Sequence, residues 1–402
     1  MSVLFSPTEL GNVQIKNRFV HSATYEAMAT PTGEVTEKLI KRYRRLAKYE
    51  VGLIIPGYMY IDPVGKSYPL QIGIHEDRMI PGLKELTDVV HQEGSKIFFQ
   101  IAHAGRQTTK ALVGRQPMAP SDNGRDPMNF VKAKPMNEEE IHATIKSFGQ
   151  AAKRSVSAGA DGIQLHSAHG YLINQFLSPF FNLRKDQWGG SDENQFRFLK
   201  EVILEVRKEI PEGMPLILKL NTNDHTPKKG ITPELAARYA KWLYQLGIEG
   251  IEISAGTVTY SFLNMCRGDA PVDELVTGLS WWMKPLGRMM LNKLKGKFDL
   301  VEGYNLNAAK LIKPEINGVP LMTVGGFRRL SHMQEVVENG TTDLISLCRP
   351  LIREPKLIVD FMDGKKEEVA CESCNRCLAA VSLNLPVRCY TKGLEKALDE
   401  LD

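Results

Sequence analysis

Short runs of apolar, β-branched residues alternate along the chain with longer stretches whose apolar positions recur at helical spacing. The runs predict strands near Arg18–Ser22, Val51–Ile55, Ile97–Ala102, Gly162–Leu165, Leu216–Leu220, Gly250–Ser254, Leu321–Val324 and Leu344–Leu347. Strands that are apolar throughout are buried on both faces, as in a parallel sheet with crossover helices. The helical period is clearest over Pro233–Leu246, where Leu235, Ala236, Tyr239, Ala240 and Leu243 recur. Eight strands separated by helices favour a closed (β/α)8 TIM barrel, an α/β fold, over an open doubly wound sheet. An open sheet would carry a G-x-G-x-x-G turn after its first strand, and the sequence has none there.

Two stretches exceed a minimal barrel. Between the sixth and seventh strands lie 65 residues, Ala255 to Val319, with Trp281-Trp282-Met283-Lys284-Pro285 and the basic, apolar run Leu286–Lys297. A lid or packed excursion over the barrel mouth is the commoner use of such an insertion, and a helix lying on a membrane surface the rarer one. The second stretch is the tail from about Asp363, which holds a cysteine cluster and an acidic end. The expected organisation is therefore a barrel over residues 1–362 and a cysteine-rich segment over 363–402.

Composition narrows the class. The 402 residues are 43% hydrophobic and 24% charged, as in ordinary globular proteins. A net charge of +4 without a long basic block gives no nucleic-acid footprint. No run of about 18 apolar residues is present, so no membrane span is expected. Met1–Pro7 lacks the basic and apolar regions of a signal peptide. Of six cysteines, four fall in the last 32 residues, which reads as a metal or cluster site in a reducing, cytoplasmic setting.

In this fold, chemistry sits at the C-terminal ends of the strands, with phosphate often bound after the seventh and eighth. Gly325-Gly326 follows the seventh strand and lets backbone N–H groups approach an anion. Cys348-Arg349 follows the eighth, and Arg349 can grip phosphate through two N–H donors. Together they point to a phosphorylated cofactor. After the fourth strand come His166, His169 and Tyr171. Neutral imidazoles can stabilise charge on a carbonyl or nitro oxygen, and a phenol can supply a proton. Buried structural roles or a two-histidine metal site remain alternatives, although no Glu follows the first His as in zinc proteases. Lys219 lies within the apolar fifth strand and requires a negative partner. A reduced flavin or a carboxylate inside the barrel would serve.

The segment His166–Phe198, HSAHGYLINQFLSPFFNLRKDQWGGSDENQFRF, resembles the signature of the Old Yellow Enzyme family of NADH:flavin oxidoreductases. Lys16–Val20, Gln100–Arg106, Gly325-Gly326 and Cys348-Arg349-Pro350 resemble further family motifs, so that the likeness covers roughly residues 3–360. It implies an FMN site in which Ser22, Ala23 and Thr24 lie against the isoalloxazine and Tyr58 makes a backbone contact to the ring. By the same resemblance Gln100 bonds the pyrimidine part, Lys219 stabilises the reduced flavin, and Gly325, Gly326, Cys348 and Arg349 hold the phosphate. His166 and His169 match the pair that holds the substrate oxygen in the two-histidine branch, and Tyr171 matches the proton donor. The implied reaction passes hydride from NAD(P)H through FMN to the β-carbon of an α,β-unsaturated substrate, an electrophilic alkene. Three departures stand out: the His21–Tyr25 turn, Gln195 in place of an Arg, and Cys348 in place of a glycine.

Cys371-x2-Cys374-x2-Cys377-x11-Cys389 gathers four thiolates that suit a [4Fe–4S] cluster, tetrahedral zinc, or no metal. The segment is similar to the cluster-binding one of trimethylamine dehydrogenase and 2,4-dienoyl-CoA reductase, which favours the cluster and an external electron carrier as partner. Two other readings stand beside ene reduction: an amine dehydrogenase or demethylase, and a non-catalytic metal- or partner-binding barrel. The amine enzymes carry Tyr where this chain has His166. A homo-oligomer is compatible with all of them.

Overall fold

The structure, a computed structural model, describes residues 2–127 and 130–394. Its centre is a parallel barrel of β1 (Phe19–His21), β2 (Leu53–Ile54), β3 (Lys96–Ala102), β4 (Gly162–Ser167), β5 (Leu216–Asn221), β6 (Gly250–Ser254), β7 (Leu321–Val324) and β8 (Leu344–Leu347). Each strand pairs with its sequence neighbours, and β8 pairs with β1, so the sheet has no free edge. Met59–Tyr60 continues the place of β2 farther along β3. The expected TIM barrel is thus the one observed.

Around it run α1 (Glu37–Lys48), α2 (Ile80–Gln92), α3 (Glu138–Ser157), α4 (Asp192–Glu209), α5 (Pro233–Gln245), α6 (Leu306–Ile312) and α7 (Leu330–Glu338). Their starts are written locally. Asn137 and Glu140 form a reciprocal capping box on α3, Ser191 caps α4, and Thr232 followed by Pro233 opens α5. Buried faces such as Leu235, Ala236, Tyr239, Ala240 and Leu243 of α5 join the main core around the barrel.

Alternate residues of every strand face the barrel interior. Near the N-terminal ends that phase is apolar: Val20, Leu53, Phe98, Ile217, Met322 and Leu344 form a plug with Leu10 and Ile15. The last two come from a hairpin, Thr8–Leu10 with Val13–Ile15, that closes the bottom and that the sequence pattern did not reveal. Gly162 faces the same plug, where a Cβ would stand 2.7 Å from the Phe98 ring. A bulkier residue there would displace the plug. Farther along, Gln100, Gln164, Lys219, Glu252 and Ser346 occupy the same phase, and the interior turns polar on those strands.

β4 runs two residues past its expected end because Lys219 pairs with His166 and Leu220 with Ser167. His166 is therefore fixed on a strand and not in a loop. The long insertion divides in two. Phe262–Met265 and Val272–Leu275 pack against the body, whereas Trp281 to Lys297 is largely exposed. The tail folds back onto the barrel: Arg328 donates to the carbonyls of Val369 and Cys371, and Val387 N–H donates to the Glu26 carbonyl at 2.8 Å. Among the described residues no helix is long and apolar enough to cross a membrane.

Candidate functional site

Above the apolar plug a row of polar side chains crosses the barrel. Gln100 Nε2 donates to Gln164 Oε1 at 2.6 Å, and Gln164 Nε2 donates to Glu252 Oε2 at 2.9 Å. Lys219 Nζ stands 3.2 Å from the same carboxylate oxygen and donates to Ser22 Oγ at 2.8 Å. Each of these residues is buried. Strand register creates the row, since Lys219 sits level with Glu252 on one neighbour and His166 on the other. Of the two partners expected for Lys219, the structure shows the carboxylate. Glu252 Oε1 keeps no partner.

One step toward the C-terminal ends come the imidazoles and phenols. The His166 and His169 rings meet edge to face at 5.2 Å, and Tyr171 lies 4.8 Å from His166. His169 takes a left-handed backbone, φ 64°, and its Nε2 lies 2.8 Å from Ser254 Oγ. Tyr171 Oη donates to Tyr58 Oη at 2.7 Å. Burial, the neighbouring His169 and the Lys219 charge keep the pKa of His166 well below the ordinary imidazole value. Burial and Lys219 hold His169 at about 3. Both rings are neutral at pH 7. Burial pushes the Tyr58 and Tyr171 phenols up, so both keep their protons. His166 Nδ1 is buried without a partner, so this ring has an unused site for a ligand.

The third part lies at the β1, β7 and β8 ends. Ser22 N–H donates to the Leu347 carbonyl at 2.9 Å, and Thr24 Oγ1 is 2.8 Å from Cys348 Sγ. This brings Ser22–Thr24 and Cys348 together across adjacent strands, with Ala23 partly buried between them. At Gly325 a Cβ would lie 3.2 Å from the Asn305 backbone nitrogen, and at Gly326, φ 68°, it would lie 2.5 Å from Leu300. The backbone approaches closely at Gly325, and the left-handed φ favours glycine at Gly326. Arg349 Nη1 donates to Asn375 Oδ1 at 2.6 Å, which leaves its other N–H groups for an anion. Unpartnered Glu252 Oε1, with a glycine turn and an arginine at one end, is what an extended polar ring bearing a phosphate would need, and His166 Nδ1 is left for a second ligand.

Cys371, Cys374, Cys377 and Cys389 line one cavity with Arg349, Asn375 and Tyr390. Among the described residues, however, no three or more His, Cys, Asp or Glu side chains are arranged to hold one metal ion. The thiols surround the cavity without converging on a point.

Sequence reasoning missed Gln164, Glu252 and Ser254. Their signal was available: in Ile163-Gln164-Leu165-His166 and Ile251-Glu252-Ile253-Ser254 the polar residues share the phase of Lys219 in its strand. Asn375 left no comparable trace. Its amide bridges Arg349 to the Cys266 and Asp269 carbonyls, contacts that only the folded tail creates.

The sequence profile described as the NADH:flavin oxidoreductase / NADH oxidase family matches residues 3–260. The chain is 33% identical over 393 residues to an NADH oxidase of Thermoanaerobacter brockii, covering 96% of this chain and 55% of that one. It thus spans about half the length of the curated relatives it matches. A 2-naphthoyl-CoA reductase complexed with 2-naphthoyl-CoA superposes with a TM-score of 0.84 at 26% identity, over 96% of this chain and 56% of that one. An Old Yellow Enzyme homologue from Zymomonas mobilis gives 0.72 at 25% identity, over 92% and 96% of the two chains.

Removing one partner of the buried pair tests the polar row. Glu252→Ala is expected to lower unfolding free energy by about 3–5 kcal/mol in urea titration, because Lys219 is left charged and buried. Lys219→Met in the same chain should restore part of the loss. Full stability in Glu252→Ala would show that the pair holds nothing.

Proposed function

Since the chain belongs to the NADH:flavin oxidoreductase / NADH oxidase family, we propose that it is an FMN-dependent enzyme that uses NAD(P)H to reduce C=C bonds conjugated to a carbonyl or nitro group. The observation that carries this reading is the pair of neutral, enclosed imidazoles beside a protonated phenol, above a buried cation. Bound FMN would supply the hydride chemistry.

The residues present suit that group. Ser22, Ala23 and Thr24 would line one side of the ring, with Tyr58, Gln100 and Lys219 at its polar edge. Gly325, Gly326, Cys348 and Arg349 would take the phosphate through backbone N–H groups and the guanidinium. Lys219 would meet negative charge at the ring, with Glu252 keeping the lysine compensated when that charge is absent. His166 and His169 would hold the substrate oxygen by N–H donation, strengthened by the burial of both rings. Ser254 steadies the second ring through its 2.8 Å contact. Tyr171 would deliver a proton to the α-carbon once its hydroxyl turns from Tyr58, to which it donates at rest, and would be reprotonated from solvent when the product leaves. A conjugated thioester falls within the same class, as the likeness to 2-naphthoyl-CoA reductase suggests. Neutral imidazoles suit an oxygen acceptor better than a cationic amine, which supports ene reduction over amine oxidation.

We further propose that Cys371, Cys374, Cys377 and Cys389 of a distinct 363–402 segment bind a [4Fe–4S] cluster. A cluster offers one iron per thiolate, which suits thiols spread around a cavity, whereas zinc requires all four on one centre. An external electron carrier would then be a partner.

Tyr171→Phe is expected to slow alkene turnover by roughly 100-fold while flavin reduction by NAD(P)H keeps its rate. Stopped-flow measurement of the two half-reactions separates them, and equal slowing of both would remove Tyr171 from the proton-donor role. For the tail, iron and acid-labile sulfide in equal amounts are expected after anaerobic purification. Stoichiometric zinc without sulfide would rule the cluster out.

A further inference from the structure

The stretch that bears on no part of the site is Trp281–Lys297. Its helix, Lys284–Asn292, has no buried residue. One side nevertheless rests on the insertion: a Cβ on Gly287 would stand 2.6 Å from Leu279 Cδ1 and 3.4 Å from Val276 Cγ1. Leu286, Met289 and Met290, at i, i+3 and i+4 spacing, project on another side with 56%, 51% and 60% exposure. Trp281 and Trp282 precede them at 81% and 66%. The other exposed large apolar side chains of the described residues, Phe130, Leu183, Leu204, Tyr244, Val301, Leu311 and Met362, are scattered singly along the chain.

Charge accompanies this face. From Val276 to Phe298 the chain carries Lys284, Arg288, Lys293, Lys295 and Lys297 and no acidic residue. Arg288 is paired with Asp273 at 3.2 Å, while the lysines have no ion pair among the described residues. Two kinds of occupant could cover exposed tryptophans and methionines. Protein interfaces are enriched in aromatic residues, Met and Arg but depleted in Lys. Surfaces that lie in the headgroup region of a bilayer combine Trp and Leu with a surplus of Lys, which meets lipid phosphate. Four unpaired lysines beside two tryptophans match the second.

We propose that Trp281–Lys297 docks this protein on the surface of an anionic phospholipid bilayer, with the indoles and Leu286, Met289 and Met290 entering the headgroup boundary and the lysines meeting lipid phosphate. The segment lies on the surface and does not span it, in keeping with the absence of a crossing helix among the described residues. Neither the flavin nor the cysteine assignment is needed for this.

Co-sedimentation of the flavin-loaded full chain with vesicles tests it. Binding to phosphatidylcholine vesicles with about 30% phosphatidylglycerol should exceed binding to phosphatidylcholine alone by about tenfold, and should weaken as salt shortens the screening length. Trp281→Ser with Trp282→Ser, and Lys293→Gln with Lys295→Gln and Lys297→Gln, should each reduce binding by about tenfold. These side chains are exposed, so flavin absorbance should be retained in both variants. No binding to either vesicle, equal binding to both, or binding that the variants leave unchanged would overturn the proposal. So would light scattering showing a dimer that the Trp variant dissociates, since a second copy would then be the occupant.

Discussion

A lysine in the middle of a buried strand constrains everything above it. Lys219 cannot stay charged in the barrel interior without compensation, and register places Glu252 beside it on β6. The carboxylate is shared with Gln164, which is tied to Gln100, and the ammonium also reaches Ser22. One charge pair therefore joins β1, β3, β4, β5 and β6 at a single level. Below it the interior is apolar and closed; above it are imidazoles and phenols with free hydrogen-bonding capacity. The pair marks the boundary between the part of the barrel that holds the fold and the part available for chemistry. Burial, with the Lys219 charge adding to it, depresses the basicity of His166 and His169, so both rings stay neutral above the compensated pair.

Much of this was legible before any coordinates. Apolar strand runs and the helical spacing of Pro233–Leu246 are local signals, and a parallel barrel follows once eight such units close. Lys219 could be singled out because a charge within an apolar strand needs a partner, and His166 and Tyr171 because they fall at and after the end of a barrel strand. The hairpin at Thr8–Ile15 was not legible, since its strands are three residues each and matter only through the plug they seal. Glu252 was overlooked for a different cause. Its alternation with Ile251 and Ile253 places it in the phase of Lys219, but which carboxylate meets the lysine is set by register, and register belongs to the folded sheet. Asn375 illustrates the same limit at longer range, because its partners lie in segments far apart in sequence.

The tail and the insertion give the barrel two attachments of opposite character. The tail is drawn inward: Val369, Val381 and Val387 join the main core, and Arg349 points from the end of β8 to Asn375 between two cysteines. Any group held by the cysteines would thus share an arginine with the proposed phosphate site. The outer half of the insertion is exposed, and burial among the described residues does not account for its indoles. Site and surface are therefore separable features of one fold, and a change in either should leave the other intact.

An upper barrel shaped for a phosphorylated flavin should bind FMN directly, and titration of the flavin-free protein with FMN is the most direct test. Quenching of FMN fluorescence that saturates at one FMN per chain is the predicted result. A protein that purifies colourless and leaves FMN fluorescence unchanged at every concentration would contradict the account.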